Sequence, residues 1–253
     1  MLLKIENIHK AYKENMSFFK KRKKAILKGV NLNIKEGECV GLIGESGSGK
    51  STLGKIIVGL EKADLGSILF EGKSNVKDFR KEISIVFQDY TSSVNPRFKV
   101  KEIIAEALSE IIECKKNLKE EIISLLNEVG LGKEFINRYP HELSGGQLQR
   151  VCIARAIATK PKFILLDEAV SSLDVSIQLQ ILDLLKKLKN SHNLSYLFIT
   201  HDLMTVTYLC DKVIFFKDGL VVEVIDNIND IGKIKHPYSK SLFNAVKELE
   251  ITL

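Results

Sequence analysis

The sequence predicts an α/β fold in which a parallel sheet is covered by helices, and three observations carry that prediction. A short apolar strand, residues 39–43, runs directly into the glycine-rich segment Gly44-Glu45-Ser46-Gly47-Ser48-Gly49-Lys50-Ser51-Thr52 and then into a helix over about residues 50–60. Three further apolar runs, 83–87, 163–166 and 196–200, end on Gln88, on Asp167 with Glu168, and on His201. Near-continuous apolar runs of this length suit parallel strands buried on both faces. In open α/β sheets ligands lie outside the carboxyl ends of the strands, so these polar groups are expected to meet in one crevice. The third observation is a block over residues 89–159 with apolar side chains at helical spacing: Ile103, Ile104, Ala107, Leu108, Ile111 and Ile112, then Ile122, Leu125, Leu126 and Val129.

The glycine-rich segment fits a loop that holds nucleotide phosphates. Gly44, Gly47 and Gly49 lack Cβ atoms, so the backbone can turn tightly and aim successive N–H groups into one concavity. Lys50 adds a point charge for the β and γ phosphates, and the Ser51 hydroxyl is placed to ligate Mg²⁺. The helix that follows offers its positive end to the same anion. Strand, loop and helix in that order are the context this motif requires.

A second glycine-rich stretch, Leu143-Ser144-Gly145-Gly146-Gln147, has two readings. Ser144 and Gln147 form the pattern of a capping box in front of a helix. The two glycines each cost about 1 kcal/mol of helix propensity relative to alanine, which capping does not explain, so something is expected to approach that backbone closely. A phosphate group is one candidate, and with the first loop it would place ATP between two protein surfaces.

The strand-end residues have chemistry to match. Asp167 suits a Mg²⁺ ligand, Glu168 beside it suits polarisation of an attacking water, and Gln88 can orient water or touch the metal. His201 either contacts the γ-phosphate or is a structural histidine. Tyr12, an aromatic in the β-rich amino-terminal region, reads as a core residue.

Elsewhere, residues 1–36 read as strands around a loop bearing Lys20-Lys21-Arg22-Lys23-Lys24. Gly130 reads as a helix carboxyl cap. A helix over residues 176–190 is predicted to bury Leu179, Leu182, Leu185 and Leu188. Residues 213–216 and 220–224 flank Asp218-Gly219 as a hairpin. The 253 residues are 45% hydrophobic, enough for a substantial core, and hold no apolar run near the 18 or so needed to span a bilayer. Residues 1–11 lack the apolar block of a signal peptide, which predicts a cytosolic chain. The net charge of +6 comes from 38 basic and 32 acidic residues, and the basic run is either a solvated loop or a site of attraction to anionic lipid. No aromatic platform interleaves the basic residues, so no nucleic-acid partner is expected. Cys39, Cys114, Cys152 and Cys210 are too scattered for a close-spaced metal motif and read as small apolar groups.

In order and spacing these motifs resemble those of the ATP-binding subunits of ABC transporters over nearly the whole chain. The resemblance makes residues 44–52 the Walker A loop, Gln88 the Q-loop, Leu143 to Gln147 the signature motif, and Phe163 to Asp167 the Walker B strand. Glu168 is then the catalytic glutamate, Ser172-Leu173-Asp174 the D-loop, His201 the switch histidine and Tyr12 the base-stacking aromatic. It implies a P-loop NTPase (RecA-like) core with an antiparallel β subdomain, over residues 1–88 and 160–225. A helical subdomain over residues 89–159 would dock the permease, and residues 226–253 would form a tail. It also implies ATP and Mg²⁺ as cofactors and a head-to-tail pair of ATP-binding subunits, identical or not, in which Ser144, Gly145, Gly146, Gln147 and Asp174 complete the partner's nucleotide site.

Partners would be integral-membrane permease subunits and, indirectly, an extracellular solute-binding protein, with the chain peripheral on the cytoplasmic face. Phe87-Gln88-Asp89, Asn95-Pro96-Arg97, His236-Pro237-Tyr238 and the cationic insert from Phe18 to Lys24 resemble the nickel, dipeptide and oligopeptide importer branch. Ser93-Val94-Asn95 and Asp167-Glu168-Ala169-Val170-Ser171 are similar to the second ATP-binding subunit of nickel importers. Nickel uptake is the expectation, and peptide uptake the alternative. A soluble ABC ATPase acting on nucleic acid and a nucleotide-binding module without turnover are the rival classes.

Overall fold

In a computed structural model describing residues 1–17, 20–74, 76–108 and 117–251, the sheet strands are β1 (Leu3–Ser17), β2 (Lys20–Ile34), β3 (Cys39–Ile43), β4 (Leu65–Phe70), β5 (Ile83–Val86), β6 (Phe163–Asp167), β7 (Ser195–Thr200), β8 (Lys212–Lys217) and β9 (Leu220–Ile225). The helices are α1 (Lys50–Ile57), α2 (Val76–Phe79), α3 (Val100–Leu108), α4 (Leu118–Glu128), α5 (Gly145–Ala158), α6 (Val175–His192), α7 (Leu203–Leu209) and α8 (Pro237–Ile251). They fall into two units, Met1–Arg80 with Ser195–Leu253, and Lys81–Leu194.

In the first unit, β3 lies between β7 and β8 and is parallel to both, while β9 returns antiparallel to β8 as the Asp218-Gly219 hairpin predicts. Every residue of β3 and of β7 is buried, as two covered faces demand. Gly41 answers a close helix approach, since a Cβ there would stand 2.6 Å from Val206 Cγ1 on α7. At one end of the same strand the Cys39 and Cys210 thiols touch at 3.4 Å, both buried. They are apolar packing groups as expected, yet not scattered: Cys210 is 171 residues away in sequence. Cys152 is also buried, and Cys114 lies outside the described residues.

A second sheet of this unit, in the order β2-β1-β4, is wholly antiparallel. Leu3, Ile5 and Ile8 of β1 are all buried, although Ile8 breaks the two-residue alternation. Asn7, at φ 51°, sits where the register with β2 slips between Ile5 and Ile8, and this bulge returns Ile8 to the core face. The basic run is not in a loop. Lys20 opens β2, and Lys21, Arg22, Lys23 and Lys24 are in register with Asn15, Glu14, Lys13 and Tyr12 of β1. The hairpin is longer than the sequence suggested because polar, lysine-rich strands carry no apolar alternation to reveal them. Phe18 and Phe19 lie outside the described residues.

The second unit pairs β5 parallel to β6 and packs α3, α4 and α5 together. Ile103, Ile104 and Leu108 of α3, Ile122, Leu125 and Leu126 of α4 and Val129 just after it are buried, as their spacing predicts, while Ala107 is half-buried. Ile111 and Ile112 fall outside the described residues. α5 is buried on nearly all sides, from Leu148 to Ala158. Its two arginines satisfy carbonyl groups of neighbouring segments: Arg150 Nη1 donates to Val129 O and Arg155 Nη1 to Ser93 O, each at 2.7 Å. Gly130 follows α4 at φ 73°, the left-handed cap that its position predicts. On α6 the buried side chains are Ile181, Leu182, Leu184, Leu185 and Leu188, whereas Leu179 is 47% exposed. Leu179 fits the apolar stripe by spacing alone. The stripe is rotated so that Ile181 and Leu184 replace it, a choice made by neighbours rather than by periodicity.

Candidate functional site

In the first unit, the loop after β3 is built by three glycines with different jobs. Gly44 has no room for a side chain, because a Cβ would lie 2.0 Å from Phe216 O on β8. Gly47 (φ 78°) and Gly49 (φ 108°) take left-handed conformations that other residues rarely adopt. Gly49 is the N-cap of α1, so the loop delivers the helix amino terminus at once. The loop is also fastened from outside: Gly219 N, in the β8–β9 turn, donates to Ser48 O at 3.0 Å. Lys50 is buried, with Nζ donating at 2.7 Å to both Gly44 O and Glu45 O. An ammonium held by its own loop in this way is aimed with little freedom left. Glu45, Ser46, Gly47 and Ser51 are exposed and Thr52 is half-buried.

Ile43 of β3 is in register with Thr200 of β7, so the loop and His201 leave the same end of adjacent strands. His201 is exposed, and Asp202 beside it caps α7 by accepting from Met204 N. Tyr12 is 40% exposed rather than a core aromatic. Its hydroxyl donates to Glu61 at 2.6 Å, and the Lys10 ammonium stands 5.4 Å over its ring while pairing with Glu61 at 3.1 Å. Burial of the hydroxyl, with the Glu61 hydrogen bond, raises the Tyr12 pKa, and Thr52 as a second side-chain partner opposes the rise. The ring is thereby fixed near the first turn of α1, a tie between β1 and α1 that no local pattern in the sequence foretold.

In the second unit, Val86 of β5 is in register with Leu166 of β6, which brings Gln88 and Glu168 together beyond the strand ends. Gln88 Nε2 donates to Glu168 Oε2 at 3.0 Å. Ser171 Oγ lies 3.0 Å from Glu168 O and 3.3 Å from Glu168 Oε2. Asp167 is buried at the end of β6 and Glu168 is half-buried. Glu168 also has φ 47°, a left-handed conformation costing about 1–3 kcal/mol for a residue with a Cβ. Hydrogen bonds and local strain therefore both serve to point this carboxylate.

The turn into α5 is a capping box, with Ser144 Oγ accepting from Gln147 N and Gln147 Oε1 accepting from Ser144 N. Its glycines are explained within the chain: a Cβ on Gly145 would be 2.7 Å from Tyr90 Oη, and one on Gly146 would be 2.6 Å from Ile177 Cγ2. What approaches that backbone closely is the protein's own Tyr90 and Ile177. The exposed side of Ser144 stays open to other groups. Asp174 is the exposed N-cap residue of α6. Gln149, fully buried, donates from Nε2 to Ala169 O at 2.6 Å and so ties α5 to the residue after Glu168. Sequence reasoning passed over it, because a glutamine on a helix reads as solvated until its surroundings are known.

Gly146→Ala is accordingly expected to destabilise the protein by about 1–3 kcal/mol through overpacking, measured by urea unfolding. Ile177→Ala in the same chain removes Cγ2 and should recover most of that loss. Equal stability of Gly146→Ala and the parent would contradict the packing account.

The ABC transporter family profile matches residues 27–171, more than half of the chain. The chain belongs to the ABC transporter family. It is 46% identical over 244 residues to the metal-staphylopine import system ATP-binding protein CntF of Staphylococcus aureus, covering 95% of this chain and 97% of that one. It is 46% identical to the oligopeptide transport ATP-binding protein OppF of Streptococcus mutans, over 87% of this chain and 74% of that one. The dipeptide transport ATP-binding protein DppF of Lactococcus lactis is 43% identical over 90% and 78%. Among solved structures, an ATP-binding cassette in a dimeric post-hydrolysis state bound to ADP and Pi superimposes with TM-score 0.78 at 31% identity, covering 88% of this chain and 98% of that chain. CbiO1 of Clostridium perfringens, part of an ABC transporter complex, gives TM-score 0.78 at 28% identity over 92% and 90%.

This ABC protein therefore has the cassette fold, mixed α/β with a parallel and an antiparallel sheet and helical insertions. It is an ATPase subunit of the importer type, binding ATP and coupling its hydrolysis to transport. Among the described residues no helix is long and apolar enough to cross a membrane.

Proposed function

We propose that this ABC ATPase powers uptake of a metal ion, nickel or a related one, carried as a complex with a small organic chelator. The observation that carries this reading is length-matched similarity: the metal-staphylopine relative is covered over 97% of its length, against 74% and 78% for the oligopeptide and dipeptide relatives. Peptide uptake is the second reading, favoured by identities of 46% and 43% to those proteins. In a strain lacking this gene, we expect uptake of radioactive nickel offered with a chelator to fall at least tenfold, with dipeptide uptake unchanged. Loss of dipeptide uptake alone would select the second reading.

In the reaction, the loop from Gly44 through Glu45, Ser46, Gly47, Ser48, Gly49, Lys50 and Ser51 to Thr52 holds the phosphates, and Tyr12 carries the base. The donor set suits a hard cation: the Ser51 hydroxyl, the Asp167 carboxylate and the Gln88 amide oxygen are all oxygens, and Gln88 uses Nε2, not its oxygen, on Glu168. These three would hold Mg²⁺, which supplies charge neutralisation at the β and γ phosphates. Glu168 orients and polarises the attacking water, helped by Gln88, while His201 senses the γ-phosphate at the strand end. Ser144, Gly145, Gly146, Gln147 and Asp174 serve the nucleotide of a second ATP-binding subunit. Support for that pairing comes from the dimeric, ADP- and Pi-bound relative and from the open face of Ser144. Residues 89–159 dock the integral-membrane permease on the cytoplasmic face, and an extracellular binding protein delivers cargo from the other side.

A further inference from the structure

The segment His236-Pro237-Tyr238 has no task in the chemistry above, yet it reaches the phosphate loop. Tyr238 is 6% exposed, and its hydroxyl oxygen accepts the Glu45 N–H at 3.0 Å. That N–H belongs to the peptide group joining Gly44 to Glu45, whose carbonyl oxygen, Gly44 O, accepts Lys50 Nζ at 2.7 Å. One peptide thus stands between Tyr238 and the lysine that faces phosphate. Hydrogen bonds chained through a polarisable peptide strengthen each other, so fixing its N–H also fixes its carbonyl and the ammonium bound there.

The tyrosine is itself anchored. Glu223 on β9 accepts the N–H groups of Lys235 at 2.7 Å and His236 at 3.2 Å. His236 then starts α8, its Nδ1 accepting Tyr238 N and its carbonyl accepting Lys240 N. Pro237 stands at the first helical position, where a missing N–H costs nothing. The Lys217 ammonium lies 4.8 Å over the Tyr238 ring. Burial pushes the phenol pKa up, so the hydroxyl stays neutral.

We propose that Tyr238 is a positioning residue for ATP hydrolysis: through the Gly44–Glu45 peptide it fixes the phosphate loop and Lys50, and the Glu223 anchor makes the carboxyl-terminal segment part of the nucleotide grip. The proposal rests on residues 44–52 being the phosphate loop.

Tyr238→Phe in the full chain keeps the ring and its packing and removes only the acceptor. Losing one hydrogen bond to a part-buried donor is expected to raise the KM for ATP about 3- to 10-fold. A merely structural role would lower the active fraction, and so the apparent kcat, with KM unmoved; that result overturns the proposal. Glu223→Ala is expected to raise KM in the parent and to add little in the Tyr238→Phe background. Independent, multiplying effects would overturn the anchor. Lys50→Ala serves as the reference: if ATP binding survived it, the phosphate-loop reading would fail, whatever Tyr238 does.

Discussion

Glu168→Gln is expected to cut steady-state ATP hydrolysis by about 10²- to 10⁴-fold while ATP still binds, leaving the paired subunits trapped around the nucleotide. The substitution is nearly isosteric, so the left-handed backbone at φ 47° and the bond from Ser171 to the residue 168 carbonyl can persist. What goes is the charge that we propose polarises water. The contact with Gln88 changes as well, since two amides must now share the 3.0 Å bond that an amide and a carboxylate made. Radiolabelled ATP hydrolysis, with size-exclusion chromatography in ATP and Mg²⁺, separates the two effects. Undiminished turnover would remove Glu168 from the chemistry.

Ser144→Arg is expected to abolish ATP-driven pairing and hydrolysis while leaving nucleotide binding by the subunit's own phosphate loop intact. The comparison that makes this interpretable is Ser144→Ala. Both changes lose the hydroxyl that caps α5 at Gln147 N, at a cost of about 0.5–2 kcal/mol of stability. Only arginine adds a long cationic side chain at an exposed helix start that we propose faces a partner's nucleotide. Turnover is therefore predicted to fall modestly in Ser144→Ala and by more than 10²-fold in Ser144→Arg, a loss of about 2.7 kcal/mol or more in barrier terms. Equal, mild losses in both would mean that Ser144 only caps its helix.

Some of this site could be read before any fold was known, and the reason is distance along the chain. Within the loop between β3 and α1, Lys50 bonds carbonyls five and six residues away and two glycines take φ 78° and 108°, so much of its conformation follows from its own residues, with Gly219 and Tyr238 fastening it from outside. The buried strands announced themselves by unbroken apolar runs, and their polar ends by position alone. Where side-chain pattern and backbone preference agree, local sequence is sufficient.

The rest depended on which segments the sheets bring side by side. Ser93 and Tyr90 meet α5 from about 60 residues away, and Tyr238 meets Glu45 across 193. No periodicity encodes such partners. The glycines of the second motif looked like an invitation to a ligand, and it took Tyr90 and Ile177 to show that the protein itself fills their space. Leu179 had the right spacing and the wrong neighbours, while the lysine-rich hairpin had the right neighbours and no apolar pattern to disclose it. The sequence alone determined the α/β class, the glycine-rich turn between β3 and α1 and the family resemblance, because each rests on short-range stereochemistry. Only the tertiary structure decided which face of α6 is buried, what holds Tyr12 in place, and what the carboxyl-terminal segment touches, because those are contacts between residues that chain order keeps far apart.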